Sequence, residues 1–193
     1  MKILVRREFD EKHGVFYFIF GETLAEDNNQ ALVRFYFNLT PEGSPKLIEK
    51  LSHSLNKHFI PFQFKCLNHP DLYNRHDSAV LYFDKRYFKI TAALMRDIYV
   101  DLQQYFKKDC PLFTKKIADG WAFAENPPNP EDSFGTNRSK LITQGILSAY
   151  NQNLSKNDWF NEVLQQIERY NFSLEHFYLN PNSHFSYLFP TFN

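Results

Sequence analysis

Two short segments of the sequence carry residue types that could bind an anion. In "LVRFYFN", the two-residue period of a β-strand puts Arg34, Tyr36 and Asn38 on one face. In "PFQFKCL", Lys65 shares a strand face with Gln63, opposite an apolar face. An arginine fork matches phosphate or carboxylate with two parallel hydrogen bonds, and lysine adds a compact positive charge. If these strands are neighbours, their shared face is predicted to bind phosphate or a carboxylate.

Further cationic and hydroxyl residues follow in segments that could reach the same face. They lie in the connection after Lys65, on the next strand, in "FTKK" and near the start of a later helix: Arg75, Tyr82, Lys115 and Arg138. Ser133 is predicted to cap that helix, which would add backbone N–H donors and a favourable dipole near Arg138. Together these residues predict a concave face with four or five cations.

A purely structural explanation competes with this one. An antiparallel sheet with one solvated face shows polar alternation without any site. From spacing alone, Lys65 and the polar residues of "LVRFYFN" are better explained as solvated side chains, and Arg138 could simply cap a loop carbonyl. The histidines show no metal-ligand spacing, and His69 and His76 are expected to be loop residues. Spacing alone therefore leads only to a domain with a candidate anion site.

The elements that must position these residues follow the order β–β–α–β–β–α–β–α–α, which indicates an α+β fold. We expect a mostly antiparallel sheet with helices packed on one face, in a single domain over 1–193. Strands are predicted in 14–24, in 32–43, at both ends of 60–83, and once or twice after 111. Helices are predicted over 44–59, over 90–107, from Ser133 onward and over 155–172, followed by an aromatic tail.

Helix caps and an apolar stripe support these helices. Ser44 is predicted as the N-cap of the first helix, with Pro45 at its first position, and Ser155 or Asn157 as the N-cap of the last. The first helix carries an apolar stripe formed by Leu47, Ile48, Leu51 and Leu55.

Composition excludes several classes of function. The 22 Lys and Arg residues balance the 22 Asp and Glu residues, so no global charge favours nucleic acid or an acidic membrane surface. The two cysteines show no ligand spacing, so we expect neither metal nor another cofactor. No apolar run is long enough to span a membrane. A cytoplasmic protein is therefore expected.

Four segments together resemble a known family: "VRFYFNLTPEG", "LNKHFIPFQFKCLNHPDLYNRHDSAVLYF", "PLFTKKIADGWAFAENP" and "SFGTNRSKLI". They are similar to the HopA-type type III effector domain, which also occurs as stand-alone proteins in bacterial clusters for ribosomally made, modified peptides. The resemblance covers about 21–149 and leaves a C-terminal helix and aromatic tail over 155–193. The blocks around "FKCLNHPDLYNRHDSAVLY" and "AENP…SFGTNR" are its most specific parts.

The resemblance implies an activity, because the family is similar in fold and site layout to phosphothreonine lyases. Those enzymes remove phosphate by β-elimination, without water or metal. In peptide-modifying clusters, a kinase phosphorylates Ser or Thr of a precursor peptide, and the lyase-like partner eliminates the phosphate to give dehydroalanine or dehydrobutyrine. The implied partners of this chain are thus a phosphorylated precursor peptide and a kinase, with no nucleic acid and no membrane.

The resemblance also implies residue roles. Lys65 matches the general base that removes the Cα proton, and Arg75 and Arg138 match phosphate-binding arginines. Arg34 is implied as a further phosphate ligand, and Tyr36 stands where the lyases have the histidine that acts as general acid. Asn38, Tyr82 and Lys115 are expected to support the site, Lys115 by binding phosphate. A base lysine must be neutral part of the time, and burial and nearby cations both lower the pKa of a lysine.

Two alternatives stay open beside the lyase. The chain could be a non-catalytic partner of the same fold that binds a precursor peptide or the kinase. It could also be a secreted effector acting on host signalling, although the short chain disfavours this.

Overall fold

The computed structural model describes residues 7–10, 14–24, 31–129 and 131–192. Within these residues, seven strands form one sheet in the order β1-β2-β4-β5-β3-β7-β6, and each pair of neighbours is antiparallel. The strands are β1 (Glu8–Asp10), β2 (Phe16–Phe20), β3 (Leu32–Phe37), β4 (Phe62–Leu67), β5 (Ala79–Asp84), β6 (Lys115–Ala118) and β7 (Trp121–Glu125). The helices are α1 (Gly43–Lys57), α2 (Phe88–Leu102), α3 (Phe134–Asn151) and α4 (Lys156–Arg169). The predicted α+β class with an antiparallel sheet is confirmed.

One face of the sheet packs against α1 and α2. Phe35 and Phe37, which alternate with Arg34 and Tyr36 along β3, are fully buried there, together with Phe64 of β4. From α1, the predicted apolar stripe supplies three buried leucines, while Ile48 at its margin is only partly buried. The apolar faces of the strands and of the helices thus pack together in one core that is rich in aromatic residues.

The three predicted N-caps differ in outcome. Ser155, one of the two residues predicted for the last helix, occupies the N-cap position of α4. The Ser133 hydroxyl accepts the backbone N–H of Thr136 at 3.1 Å, so this cap of α3 is confirmed. Ser44 is not the cap of α1, because the helix begins at Gly43, two residues before the predicted first position at Pro45, and Glu42 occupies the N-cap position. Gly43 makes this earlier start feasible, since a side chain there would collide with Tyr105, 2.6 Å from the position of its Cβ.

The second face of the sheet is covered over its β3–β7 part. Phe134, at the start of α3, packs against Tyr36 with ring centroids 6.1 Å apart. Phe113 and Tyr178 close the same layer. Helices α3 and α4 pack closely on each other at Gly145, where a Cβ would lie 2.6 Å from the Cα of Val163.

The C-terminal tail runs from the α3–α4 pair towards the core packed on α1 and α2. Its backbone joins the sheet where Glu125 N–H donates to the carbonyl of Tyr178 at 2.9 Å. Further along, Tyr187 packs on Phe88 and Phe123 with ring centroids 4.8 and 4.5 Å away. The aromatic tail is therefore packed onto the body of the protein.

Candidate functional site

The strand register brings most of the predicted site residues onto one face. Lys65 pairs with Val80, and Val80 pairs with Tyr36 on the next strand. One step along, Tyr82 pairs with Arg34. Because directly opposed residues in a sheet point to the same side, these side chains of β4, β5 and β3 share the face that is not covered by α1 and α2.

On this face, three cations and two aromatic rings form a continuous series, here called the cation ladder: Arg75, Phe16, Lys65, Tyr82 and Arg34. The Lys65 Nζ lies 4.3 Å from the ring centre of Phe16 and 5.6 Å from that of Tyr82. The Arg75 guanidinium carbon lies 5.6 Å from the Phe16 ring, and that of Arg34 lies 5.0 Å from the Tyr82 ring. Each separation is within the range of a cation–π contact.

The ladder explains how three positive groups can share one surface. The negative face of an aromatic ring attracts a cation, and a ring between two cations keeps them apart. A carboxylate joins at one end, where Asp77 accepts two 2.8 Å hydrogen bonds from Arg75 Nε and Nη2. This bidentate pair holds the Arg75 guanidinium beside the Phe16 ring and leaves Nη1 outside the fork.

At the other end, Arg34 is fixed by neutral acceptors. Its Nε donates to Asn126 Oδ1 at 2.6 Å, and its Nη1 donates to the hydroxyl of Tyr36 at 3.2 Å. Arg34 and Tyr36 are only 7% and 6% exposed, so the solvated-face explanation is wrong for them. The alternation alone could not show that α3 and the Phe113 loop cover this part of the sheet.

Burial also sets the protonation of the tyrosine hydroxyls here. Burial raises the pKa of Tyr36 to about 12, while the Arg34 charge opposes this rise. The pKa of Tyr82 is raised as well, mainly by burial. Both hydroxyls therefore carry their protons at neutral pH, and Tyr36 can act as a donor towards a bound anion.

Asn38 is buried next to this group but is tied to a loop. Its Nδ2 donates to the carbonyl of Asp109 at 2.9 Å, and its backbone carbonyl accepts from Lys107 N–H at 2.8 Å. These bonds attach the segment before β6 to the end of β3. The structure thus gives the predicted supporting residue a role in holding this connection.

Arg138 is fully buried, and carbonyl oxygens surround its guanidinium. Nε donates to Phe177 O at 2.8 Å, and Nη2 donates to Leu179 O at 3.0 Å and to Asn180 Oδ1 at 3.1 Å. Nη1 donates to Asn137 Oδ1 at 2.5 Å. Burial lowers its pKa to about 10, opposed by the Glu125 carboxylate, so its charge persists at neutral pH. These contacts direct Arg138 at the tail.

Lys115 lies apart from the ladder. Its partner in the register is Phe123, whose ring belongs to the core covered by α1 and α2. Lys115 is exposed on the edge strand, with its Nζ 6.0 Å from the Tyr178 ring. The structure does not bring this predicted phosphate ligand together with Lys65 and Arg75.

The "FKCLNHPDLYNRHDSAVLY" block divides into site residues and structural residues. Tyr73 donates its hydroxyl to the carbonyl of Leu67 at 2.9 Å and closes the connection between β4 and β5. Ser78 Oγ donates to Phe37 O at 3.0 Å and accepts from Leu39 N–H at 2.8 Å, which joins β5 to β3. His69 and His76 lie exposed in this connection, as predicted. The block thus positions Lys65, Arg75 and Tyr82 by these structural bonds.

Three residues of the site were missed by sequence reasoning: Phe16, Asp77 and Asn126. Phe16 was invisible because nothing in the sequence shows that β2 pairs with β4. Asp77 could have been found, since a carboxylate two residues after Arg75 is within reach of its fork. Asn126, in "AENP", reaches Arg34 only because β7 pairs with β3.

Comparison with known proteins now settles the family. A model of the HopA1 effector protein family matches residues 10–179, which is most of the chain and includes every strand that carries the ladder. This chain belongs to the HopA1 effector protein family. The match begins before the segments that carry the resemblance, so it includes β2 and Phe16.

Two solved structures of bacterial effector proteins share the fold. The effector protein from Pseudomonas syringae pv. tomato strain DC3000 superposes with a TM-score of 0.67 at 16% sequence identity. The effector protein from Pseudomonas syringae pv. syringae strain 61 gives 0.66, also at 16% identity. Each comparison covers 86% of this chain and 63% of the effector, so the chain spans less than two thirds of either effector. A search of curated proteins found no match.

Two further observations concern the part of the chain that the structure describes. It holds no group of three or more His, Cys, Asp or Glu side chains able to bind a metal ion. Its helices are too short or too polar for any of them to cross a membrane.

Proposed function

We propose that this HopA1-family chain is a phosphoserine/phosphothreonine lyase. The observation that carries the proposal is the cation ladder, which places a lysine between two arginines on a face that also holds the Tyr36 hydroxyl. Three clustered cations suit a phosphate dianion, and a lysine among them is suited to remove an acidic C–H proton. The resemblance to phosphothreonine lyases supports the same reaction.

The proposed reaction is a β-elimination. Neutral Lys65 takes the Cα proton of the phosphorylated residue, and the C–H electron pair forms the Cα=Cβ double bond. The Cβ–O bond breaks, and phosphate leaves with its electron pair. The products are dehydroalanine from phosphoserine or dehydrobutyrine from phosphothreonine, together with free phosphate, and no water is consumed.

Negative charge builds up on the phosphate oxygens during this step, and this suggests roles for the arginines and for Tyr36. Arg75 and Arg34 would hold the phosphate oxygens and stabilise the charge that builds on them as the Cβ–O bond breaks. A dianionic phosphoester leaves as the strongly basic phosphate trianion, so even Tyr36, with its pKa raised to about 12, can supply a proton to it. Arg138 would act indirectly, since its donors are directed at the tail.

The substrate we propose is a precursor peptide phosphorylated by a partner kinase. Dehydrated residues would then be available for thioether formation in the same peptide. The competing interpretation is a binding partner of the same fold that holds the phosphopeptide without eliminating phosphate.

The test is purified protein incubated with a phosphothreonine peptide and followed by mass spectrometry. We expect the peptide to lose the mass of phosphoric acid. Lys65→Ala should slow this loss by about 10²- to 10⁴-fold, the usual contribution of a general base. Lys115→Ala is the matched control. It removes an exposed lysine that is not part of the ladder, and it should leave the rate unchanged. Phosphopeptide binding that survives Lys65→Ala, with no elimination by the unaltered protein, would refute the lyase and favour the binding partner.

A further inference from the structure

We propose that Phe16 is a positioning residue of the site, whose ring holds the Lys65 ammonium and the Arg75 guanidinium in place for a phosphorylated ligand. The inference rests on the proposed function only in that Lys65 and Arg75 serve there as base and phosphate ligand. Phe16 is half-buried, and it is the ladder member nearest to Lys65, with 4.3 Å from Nζ to the ring centre.

Phe16 differs from Phe18, its neighbour on the same face of β2, in its contacts with the cations. Phe18 lies on the same face and is the direct partner of Lys65 in the register. Both rings are half-buried, and they contact each other with centroids 6.5 Å apart. Phe16, however, is the ring on β2 that makes the cation–π contact with Lys65 at 4.3 Å and also the one with Arg75 at 5.6 Å. Phe18 is therefore a matched control of the same type, strand, face and burial.

The surroundings of Lys65 fix the direction of the effect. In the part of the chain that the structure describes, the titratable and charged groups on its face include Tyr82 on β5, Arg34 and Tyr36 on β3, and Arg75 and Asp77 on the connection before β5. The arginines disfavour a positive Lys65, whereas the Phe16 ring favours it. Removing the ring should thus lower the pKa of Lys65 relative to the unaltered protein and loosen Arg75.

The experiment titrates the Lys65 side chain by NMR in ¹³C-lysine-labelled protein without substrate. In Phe16→Leu, we expect the Lys65 midpoint to fall by about 0.5 to 1 and the affinity for inorganic phosphate to fall about threefold or more. Phe18→Leu should change neither, and Phe16→Tyr should restore both. Trifluorophenylalanine at position 16 keeps the shape but weakens the ring quadrupole, and it should reproduce the lower midpoint even if Phe16→Leu fails to fold.

An unchanged Lys65 midpoint with trifluorophenylalanine at position 16 would overturn the proposal, as would an equal change in Phe18→Leu. Because the titration needs no turnover, it can succeed where the elimination assay fails. If the phosphothreonine peptide is stable while the Lys65 midpoint moves as expected, the lyase is wrong and the positioning role of Phe16 stands.

Discussion

The cation ladder and the surroundings of Arg138 use the same residue types in different ways. Arg138 lies over three aromatic rings, those of Phe134, Phe172 and Phe177, at 4.7, 4.4 and 5.6 Å. Its nitrogens are also occupied by four carbonyl-type oxygens of the protein. In the ladder, the Lys65 ammonium lies between the rings of Phe16 and Tyr82, at 4.3 and 5.6 Å from their centres.

This difference shows how a structural arginine can be told from a candidate ligand. A guanidinium whose nitrogens all donate to protein oxygens has little left for a phosphate, whereas Arg75 has Nη1 outside its bidentate pair with Asp77. The two regions are nevertheless connected. Asn180 Oδ1 accepts from Arg138, and its Nδ2 donates to Asn126 O at 2.6 Å. Asn126 Oδ1 in turn accepts from Arg34 of the ladder.

The largest expected effect concerns Arg138 and stability. Arg138→Met leaves the carbonyls of Phe177 and Leu179 buried without a donor, so we expect the free energy of unfolding to fall by about 3 to 5 kcal/mol. Arg75→Met is the control, because Arg75 is exposed and its ion pair with Asp77 is solvated, so it should change the value by less than ~1 kcal/mol. Urea unfolding measures both. Equal losses of unfolding free energy in the two variants would contradict the proposed difference between the two regions.

The next effect concerns the anchoring of the tail. The buried Glu125 carboxylate accepts from Asn180 N–H, Ser183 Oγ and Tyr187 Oη at 2.6 to 2.7 Å. Glu125→Gln replaces a charged acceptor by a neutral one, and we expect a loss of about 1.5 to 3 kcal/mol.

Relative to the unaltered protein, Glu125→Gln should accelerate amide hydrogen exchange in 181–192 more than in the strands of the ladder. The control is Glu175→Gln, an exposed carboxylate of the same tail. If exchange in β4 and β5 accelerates as much as in the tail, the tail and the ladder are one cooperative unit.

Features that depend on contacts between residues close in the sequence could be predicted, whereas those that depend on contacts between distant segments could not. Alternation within one strand correctly placed Arg34, Tyr36 and Asn38 opposite the core face, and the local Ser133 cap was also correct. Phe16 could not be predicted, because the order β2-β4-β5-β3 joins strands that are distant along the chain. The burial of Arg138 depends on the tail, whose path no local pattern encodes.

The smallest expected effect is a pH dependence at Tyr36. Burial raises its pKa from 10.0 to about 12 in the folded protein. Above pH 10 the unfolded chain releases this proton while the folded protein keeps it, so stability falls as pH rises from 10 towards 12.

Tyr36→Phe should remove part of this alkaline loss while changing stability at pH 7 by only about 1 kcal/mol. Tyr150→Phe, at an exposed position, is the control. The measurement is the difference in urea midpoints between pH 7 and pH 11. An alkaline loss unchanged by Tyr36→Phe would mean that burial of its hydroxyl does not control the titration.

The central claim, that the ladder binds phosphate while Arg138 supports the tail, is tested in a single NMR titration. Inorganic phosphate is added to labelled protein at constant ionic strength, and the side-chain signals of Lys65, Arg34, Arg75 and Arg138 are followed. We predict saturable shifts for Lys65, Arg34 and Arg75 and none for Arg138. Shifts confined to Arg138, or no saturable shift in the ladder, would contradict the account.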